Sequence, residues 1–104
     1  MSRWDGAASE WGELSLRPAS PVSDLAVISY SIPEPCRARL SVYNIAGREV
    51  DVIVDGEINQ RDNFIQVAID SGRMPSGVYF VLMTATGTAS GRAYSQTGKM
   101  LVVR

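Results

Sequence analysis

The stretch that decides the fold is Pro75-Ser76-Gly77-Val78-Tyr79-Phe80-Val81-Leu82-Met83, in which a turn leads directly into a run of β-branched, aromatic and aliphatic residues. Proline sets a turn φ angle, glycine supplies backbone angles that other residues avoid, and the run that follows has the composition of a pleated strand. Alternate side chains of a strand point to opposite faces, and here both sets are largely apolar. The stretch therefore predicts a central strand that is covered on both sides.

Short alternating segments separated by turn residues run through the rest of the chain. They predict strands at 14–17, 25–32, 39–44, 50–54, 63–70 and 92–104, in addition to the central strand. No segment has a helical period, and turn signals recur about every 8–12 residues, as in all-β sandwiches. We therefore expect an all-β fold, an immunoglobulin-like antiparallel β-sandwich of about seven strands.

Glycines and prolines predict how these strands end and bend. Gly47 is expected to take the left-handed backbone angle in the turn 44–49, and Asp55-Gly56 is expected to form the next turn. Gly98 predicts a β-bulge in the last strand. In the segment 39–44, alternation predicts Leu40 and Val42 inward and Ser41 outward. Tyr79, near the start of the penultimate strand, is a candidate for a tyrosine corner.

Length and charge limit the organisation of the chain. Its 104 residues suffice for one domain, which we place at 13–104, with 1–12 as a leader or linker carrying Trp4 and Trp11. A net charge of −1 argues against nucleic-acid binding and attachment to anionic lipid. No apolar run approaches the roughly 20 residues of a membrane span, so direct membrane insertion is not expected. The start lacks a signal peptide, which leaves a cytosolic protein or, as we prefer, a piece of a longer exported one.

Catalytic chemistry has little support in the composition. Histidine is absent, which removes the commonest general base and metal ligand. The single Cys36 is expected at a loop or strand edge without chemistry, although Arg37 and Arg39 lie close to it in sequence. Asp51, Asp62 and Asp70 stand in strands or loops with no inferable cleft between them. We therefore predict no catalytic residue.

One acidic segment resembles a calcium loop in part. Asp55, Glu57 and Asn59 alternate like its first ligands, but Gln60 stands where such a loop needs glycine, and no glutamate follows at the twelfth position. We interpret the segment as a solvated polar loop. The sequence accordingly predicts no metal site and no cofactor.

Four stretches taken together identify a family. They are 28–34 (ISYSIPE), 40–50 (LSVYNIAGREV), 75–79 (PSGVY) and 99–104 (KMLVVR). Their order and spacing resemble the C-terminal sorting domains of the bacterial type IX secretion system and, equally, the related immunoglobulin-like module named after the flagellar hook-cap protein. The resemblance covers about 14–104, and it departs from the family at Pro18-Ala19-Ser20-Pro21, where Pro-Asn-Pro is usual.

The resemblance implies a non-catalytic sorting or attachment domain. It would follow a cargo domain in the same chain and be recognised by the outer-membrane secretion machinery. The exported protein would be delivered to the cell surface or the medium. The candidate recognition residues are Pro75, Gly77, Tyr79, Lys99 and Arg104; the turn motif comprises Tyr43, Gly47, Arg48 and Glu49. Strand addition at a sheet edge is one route of docking. Lys99 and Arg104 would alternatively serve to protect an edge strand from aggregation.

Two other functions remain open at this point. The domain would be a structural spacer or a weak carbohydrate- or protein-binding module of a larger extracellular protein, with aromatic rings as the sugar contacts. The candidate rings are Trp4, Trp11, Tyr43 and Tyr94. A role as a hook-cap subunit is a third reading, which needs an upstream cap region.

Overall fold

The computed structural model describes residues 13–69 and 72–103. All regular secondary-structure elements within these ranges are β-strands. The strands are β1 (Ser15–Pro18), β2 (Leu25–Ser31), β3 (Cys36–Asn44), β4 (Glu49–Ile58), β5 (Asp62–Ala68), β6 (Gly77–Gly87) and β7 (Ala93–Val102). They form two antiparallel sheets, with strand orders β1-β2-β5 and β4-β3-β6-β7. The predicted seven-stranded, immunoglobulin-like β-sandwich is confirmed.

The core lies between the inner faces of the two sheets. Ala26 and Ile28 from the first sheet and Leu40, Val81 and Met83 from the second are 0% exposed. They belong to one continuous cluster of buried side chains. Full burial of one such aliphatic side chain contributes about 2 kcal/mol, so the shared core is what holds the sheets together.

The strand β6 is central in its sheet, as predicted, because β3 and β7 flank it. The prediction that both of its faces are covered is wrong. Its inner residues Tyr79, Val81 and Met83 are buried, whereas Phe80 on the outer face is 37% exposed. Only one face of each sheet meets the other sheet, and no further layer of described residues lies over the outer face of β6.

The edge strand β4 is longer than predicted. The backbone continues through Asp55 and Gly56 to Ile58, so the predicted turn at Asp55-Gly56 is wrong. Ala38 faces Gly56 and Arg39 faces Asp55 in the ladder. The irregularities come earlier, where the register slips at Ile53 and again at Val50. Two such bulges make an edge strand a poor template for pairing with another chain.

Gly98 does not form the predicted bulge. The ladder between β6 and β7 is continuous, and Gly98 lies opposite Val81 without a shift in register. The glycine is needed for a different reason: a Cβ atom there would stand 2.7 Å from both Cγ and Cδ of Pro18. Gly98 is thus the point at which β1 of one sheet meets β7 of the other.

The segment that follows β1 carries the chain from one sheet to the other. As predicted, the prolines end β1, and the Ser20-Pro21 peptide bond is cis. Val22 then forms a parallel bridge to the end of β7, where its N–H donates to Leu101 O and the Val103 N–H donates to Val22 O. The hydroxyl oxygen of Ser20 accepts from the Leu101 N–H. The edge of β7 at Leu101–Val103 is therefore already paired within the chain.

Cys36 lies inside a sheet, which corrects the prediction of a loop or strand edge. It is the first residue of β3, is paired with Ile58 on one side and Gly87 on the other, and is 0% exposed. Its burial, and secondarily the charge of Glu34, raise the pKa of the thiol. Both effects disfavour the reactive thiolate.

Some sequence-based expectations fall outside the described residues. These are the leader 1–12 with Trp4 and Trp11, the carboxylate of Asp70, and the terminal Arg104. Within the described ranges, the structure contains no helix of the length and apolar character needed to cross a bilayer.

Candidate recognition surface

The turn between β3 and β4 is held by the side chain of Asn44. Its Oδ1 accepts hydrogen bonds from the Ala46 N–H at 2.9 Å and the Arg48 N–H at 3.0 Å. Gly47 has φ 83°, the left-handed angle expected from the sequence, and its N–H donates to the Asn44 carbonyl. The tip of this hydrogen-bonded turn presents Ile45, which is 78% exposed.

The turn before β6 is held by Tyr79. Its hydroxyl donates to the carbonyl oxygen of Pro75 at 2.6 Å, four residues upstream, which is the geometry of a tyrosine corner. The ring itself is only 4% exposed. Tyr79 therefore holds the turn from the core side, while Pro75 and Ser76 face the solvent.

The two turns meet at one end of the four-stranded sheet. The guanidinium of Arg73 donates to the carbonyl oxygen of Val50, one of the bulged residues, and lies 3.6 Å from a carboxylate oxygen of Asp51. Between the turns is a groove of about 400 Å³, which we call the turn groove. It is lined by Asn44, Ile45, Ala46, Arg73, Pro75, Ser76, Gly77, Val78 and Tyr79. Two motifs about thirty residues apart in sequence thus form one surface feature.

A cross-strand row on the outer face of the same sheet joins further predicted residues. Tyr43 lies opposite Glu49 on one side and Phe80 on the other, and Phe80 lies opposite Lys99. Side chains at paired positions stand about 5 Å apart at Cβ. Glu49, Tyr43, Phe80 and Lys99 therefore follow one another across one face of the sheet.

Glu49 is the polar anchor of this row. Its Oε1 accepts from Arg39 at 3.1 Å and its Oε2 accepts from the Tyr43 hydroxyl at 3.1 Å. Ser41 lies between Arg39 and Tyr43 on the same face and is only 2% exposed. The alternation correctly placed Ser41 on the outer side, although this residue is nearly buried there.

Beside the row is an apolar area, which we call the outer patch: Val52, Val78, Phe80, Leu82 and Leu101. Val78 is paired with Leu101, and Leu82 with Ser41, so these side chains share the outer face with Phe80. Phe80 and Val52 are each 37% exposed and Leu101 is 40% exposed. Lys99 makes no ion pair with any residue in the described ranges, and its charge borders the patch.

The sequence-predicted residues therefore fall into two groups. Pro75, Gly77, Lys99 and the Tyr43–Glu49 motif lie around the turn groove and the outer patch, whereas Tyr79 supports them from the core. Phe80 was missed as a surface residue, because a strand apolar on both faces was read as covered on both.

A buried carboxylate was also missed. Glu34 is 6% exposed, and its Oε2 accepts from the Ser90 hydroxyl at 2.8 Å and the Tyr94 hydroxyl at 2.5 Å. Burial, followed by the hydrogen bond to Glu34, raises the pKa of Tyr94 to about 12. A Cβ atom at Gly87 would collide with this carboxylate and with Ser90. The cluster connects the segment before β3 to the β6–β7 hairpin.

The carboxylates considered for metal binding are dispersed over β4. Asp55 and Glu57 face Arg39 and Arg37 in the ladder, which provides positive neighbours for both. In the part of the chain that the structure describes, no group of three or more histidine, cysteine, aspartate or glutamate residues is placed to hold a metal ion.

Comparison with known proteins gives one family. The model of the family described as "Secretion system C-terminal sorting domain" matches residues 19–94. No curated protein matches the chain. Among solved structures, the crystal structure of the Ig1 domain of mouse SynCAM 2 is similar at 12% identity and a TM-score of 0.39, over 83% of this chain and 92% of that chain. The fold assignment rests on the two sheets described above.

Proposed function

Because the chain belongs to the family of secretion system C-terminal sorting domains, we propose that the outer-membrane secretion machinery reads it through the outer patch and the turn groove. The family places the domain in an exported protein destined for the cell surface or medium. Domains of this kind are generally non-catalytic. In the proposal, this domain is the sorting signal, and a cargo domain in the same chain carries the biochemical activity.

The observation that carries the proposal is the position of Phe80. An aromatic side chain that is 37% exposed lies on the outer face of the sheet, with Val78 and Leu82 beside it on β6 and with Lys99 and Glu49 in its cross-strand row. Protein interfaces commonly have an apolar centre containing an aromatic anchor and a charged rim. The sheet face that faces solvent here has this composition.

Docking by the sheet face also fits the state of the strand edges. Leu101–Val103 is already paired with Val22, and β4 is bulged and acidic. Strand addition at either place would require breaking existing hydrogen bonds or pairing with an irregular edge. We therefore favour side-chain docking on the outer patch over strand addition at the end of β7.

The test is an export assay. The chain is fused behind a signal peptide and a fluorescent cargo and expressed in a bacterium with a working type IX system. Phe80→Ser is compared with Phe64→Ser, which changes an exposed phenylalanine on the other sheet. We expect Phe80→Ser to reduce export at least about tenfold, as for an interface anchor, and Phe64→Ser to leave it unchanged.

Matched thermal unfolding of the two variants shows whether either loses stability. Equal export by both variants would contradict the assignment of the outer patch. Cargo from the unaltered fusion that stays in the periplasm, or leaves the cell without the machine, would contradict the sorting role and favour a spacer.

A further inference from the structure

A second open surface lies on the other sheet, away from the outer patch and the turn groove. A groove of about 500 Å³ crosses the outer face of β1, β2 and β5. Its lining includes Ser15, Arg17, Ser29, Ser31, Asp62 and Phe64. We call it the Phe64 groove. The proposed function makes no use of these residues, so the groove requires its own account.

The groove has two walls and a low floor. Arg17 lies opposite Ser29, and Ser29 lies opposite Phe64, so these residues form one cross-strand row. Two strand spacings, about 10 Å, separate the backbones of Arg17 and Phe64. Because the serine between them is short, a guanidinium and an aromatic ring border a slot wide enough for one sugar ring.

The next row adds hydroxyl groups and a carboxylate. Ser15 is paired with Ser31, which is paired with Asp62, and the two serine hydroxyls are 2.6 Å apart. The side chain of Asp62 is 81% exposed, and its nearest cation, Arg61, is 4.0 Å away. An ionised carboxylate only accepts hydrogen bonds, so this end of the groove favours a ligand with many hydroxyl donors.

The two wall residues, Arg17 and Phe64, indicate which further chemical groups a ligand of this groove would carry. Within the described ranges, Arg17 makes no hydrogen bond or ion pair through its guanidinium, the group best suited to bind a carboxylate in two-point fashion. The ring of Phe64 is 69% exposed, on a strand fixed by its pairing with β2. The C–H face of a sugar ring packs on the electron-rich face of an aromatic ring.

We propose that the Phe64 groove binds a saccharide unit that bears a carboxylate, a hexuronic acid. Its apolar ring face packs on Phe64, its carboxylate pairs with Arg17, and its hydroxyls donate to Asp62 and exchange hydrogen bonds with the serine hydroxyls. An acidic peptide fits less well, since it offers neither the cluster of hydroxyl groups for Asp62 and the serines nor a flat C–H face for Phe64. Because this face is opposite the outer patch, saccharide binding and docking to the secretion machinery use different surfaces.

The test uses the full 104-residue chain and a matched pair of probes, tetragalacturonic acid and its methyl ester, in which a methyl group on each carboxyl removes the charge. Binding is followed by amide chemical-shift changes. We expect the acid to bind about tenfold more tightly than the ester, shifting residues of the groove. Arg17→Gln removes this preference, and Phe64→Ala weakens both probes about tenfold.

Control variants lie on the opposite sheet and the β3–β4 turn. Phe80→Ala and Arg48→Gln remove a phenylalanine ring and a cation that lie outside the groove, and they leave both affinities unchanged. An amide spectrum that matches that of the parent chain away from the substituted residue shows that each variant is folded. The proposal is overturned by absence of binding up to about 10 mM, by equal affinity for acid and ester, or by shifts outside the groove. Tighter binding of a glutamate-rich peptide, or Phe64-dependent self-association, also overturns it.

Discussion

The hydroxyl of Tyr94 donates to Oε2 of Glu34 over 2.5 Å, although the two residues are 60 positions apart. Glu34 is 6% exposed, and Ser90 supplies a second donor to the same oxygen. A buried carboxylate is tolerated only when hydrogen bonds replace its hydration. Tyr94 therefore helps to stabilise the packing of the segment before β3 against the β6–β7 hairpin.

Removing that hydroxyl is expected to destabilise the fold. Tyr94→Phe leaves the ring in place but removes one donor to a buried carboxylate, which costs about 1–3 kcal/mol of unfolding free energy. Tyr43→Phe is the matched control, because it removes a hydroxyl that donates to Glu49 at the exposed surface, where the cost is below about 1 kcal/mol. Urea unfolding of the three proteins measures both values. Equal losses for the two variants would contradict the role of Glu34 as a buried acceptor.

The same contact predicts a loss of stability at alkaline pH. The pKa of Tyr94 is about 12 in the folded chain against an ordinary value of 10.0. Below pH 10, both states hold the proton; between pH 10 and about 12, the unfolded state releases it and the folded state does not. The stabilisation is therefore complete below pH 10 and is lost as the pH rises toward 12.

Denaturant unfolding across this alkaline range tests the linkage. Tyr94→Phe should show a weaker fall in stability than the unaltered chain. Some fall should remain, because burial also raises the pKa of Tyr30. Parallel curves for the two proteins would show that Tyr94 does not carry the effect.

Gly98 predicts a steric test of the contact between the sheets. In Gly98→Ala, the new methyl group meets the ring of Pro18 at 2.7 Å, so backbone or ring must shift. We expect a loss of about 1–3 kcal/mol, the usual cost of overpacking. Pro18→Ala removes the ring, so the double variant should recover part of the loss. Additive effects in this cycle would mean that the two residues do not interact.

Tyr79→Phe separates support of the turn from general stability. It removes the hydrogen bond to Pro75 O, which costs about 1 kcal/mol, and loosens the turn groove. Tyr94→Phe also loses a hydrogen bond made by a tyrosine hydroxyl but lies outside the turn groove. In the export assay we expect Tyr79→Phe to lower secretion more than Tyr94→Phe does. Equal secretion by the two would place the turn outside the recognition surface.

The accuracy of the sequence-based reading varied with the range of the interactions. Gly47 and the tyrosine corner at Tyr79 were found correctly, since each depends on residues within a few positions. The turn at Asp55-Gly56 was wrong because cross-strand pairing with β3 extended the strand through a dipeptide that favours turns. Gly98 was read as a bulge because its actual constraint, the ring of Pro18, lies eighty positions earlier.

The candidate surfaces divide in the same way. Lys99 and the two turn motifs were candidates because of the family resemblance, but nothing in the sequence indicated that Phe80 would lie between Lys99 and Tyr43. Glu34 gave no signal either, because its donors are 56 and 60 positions away.

Side-chain alternation and turn chemistry were enough to establish an all-β sandwich and to identify the inward-facing residues of most strands, since both act over two to four residues. Strand pairing and sheet packing determined which residues share the candidate surfaces. Register brought Glu49, Tyr43, Phe80 and Lys99 into one row. Packing of two sheets, with no third layer among the residues that the structure describes, left the outer faces of β6 and β5 in solvent. These outcomes depend on contacts between distant segments, and only the assembled sandwich determines them.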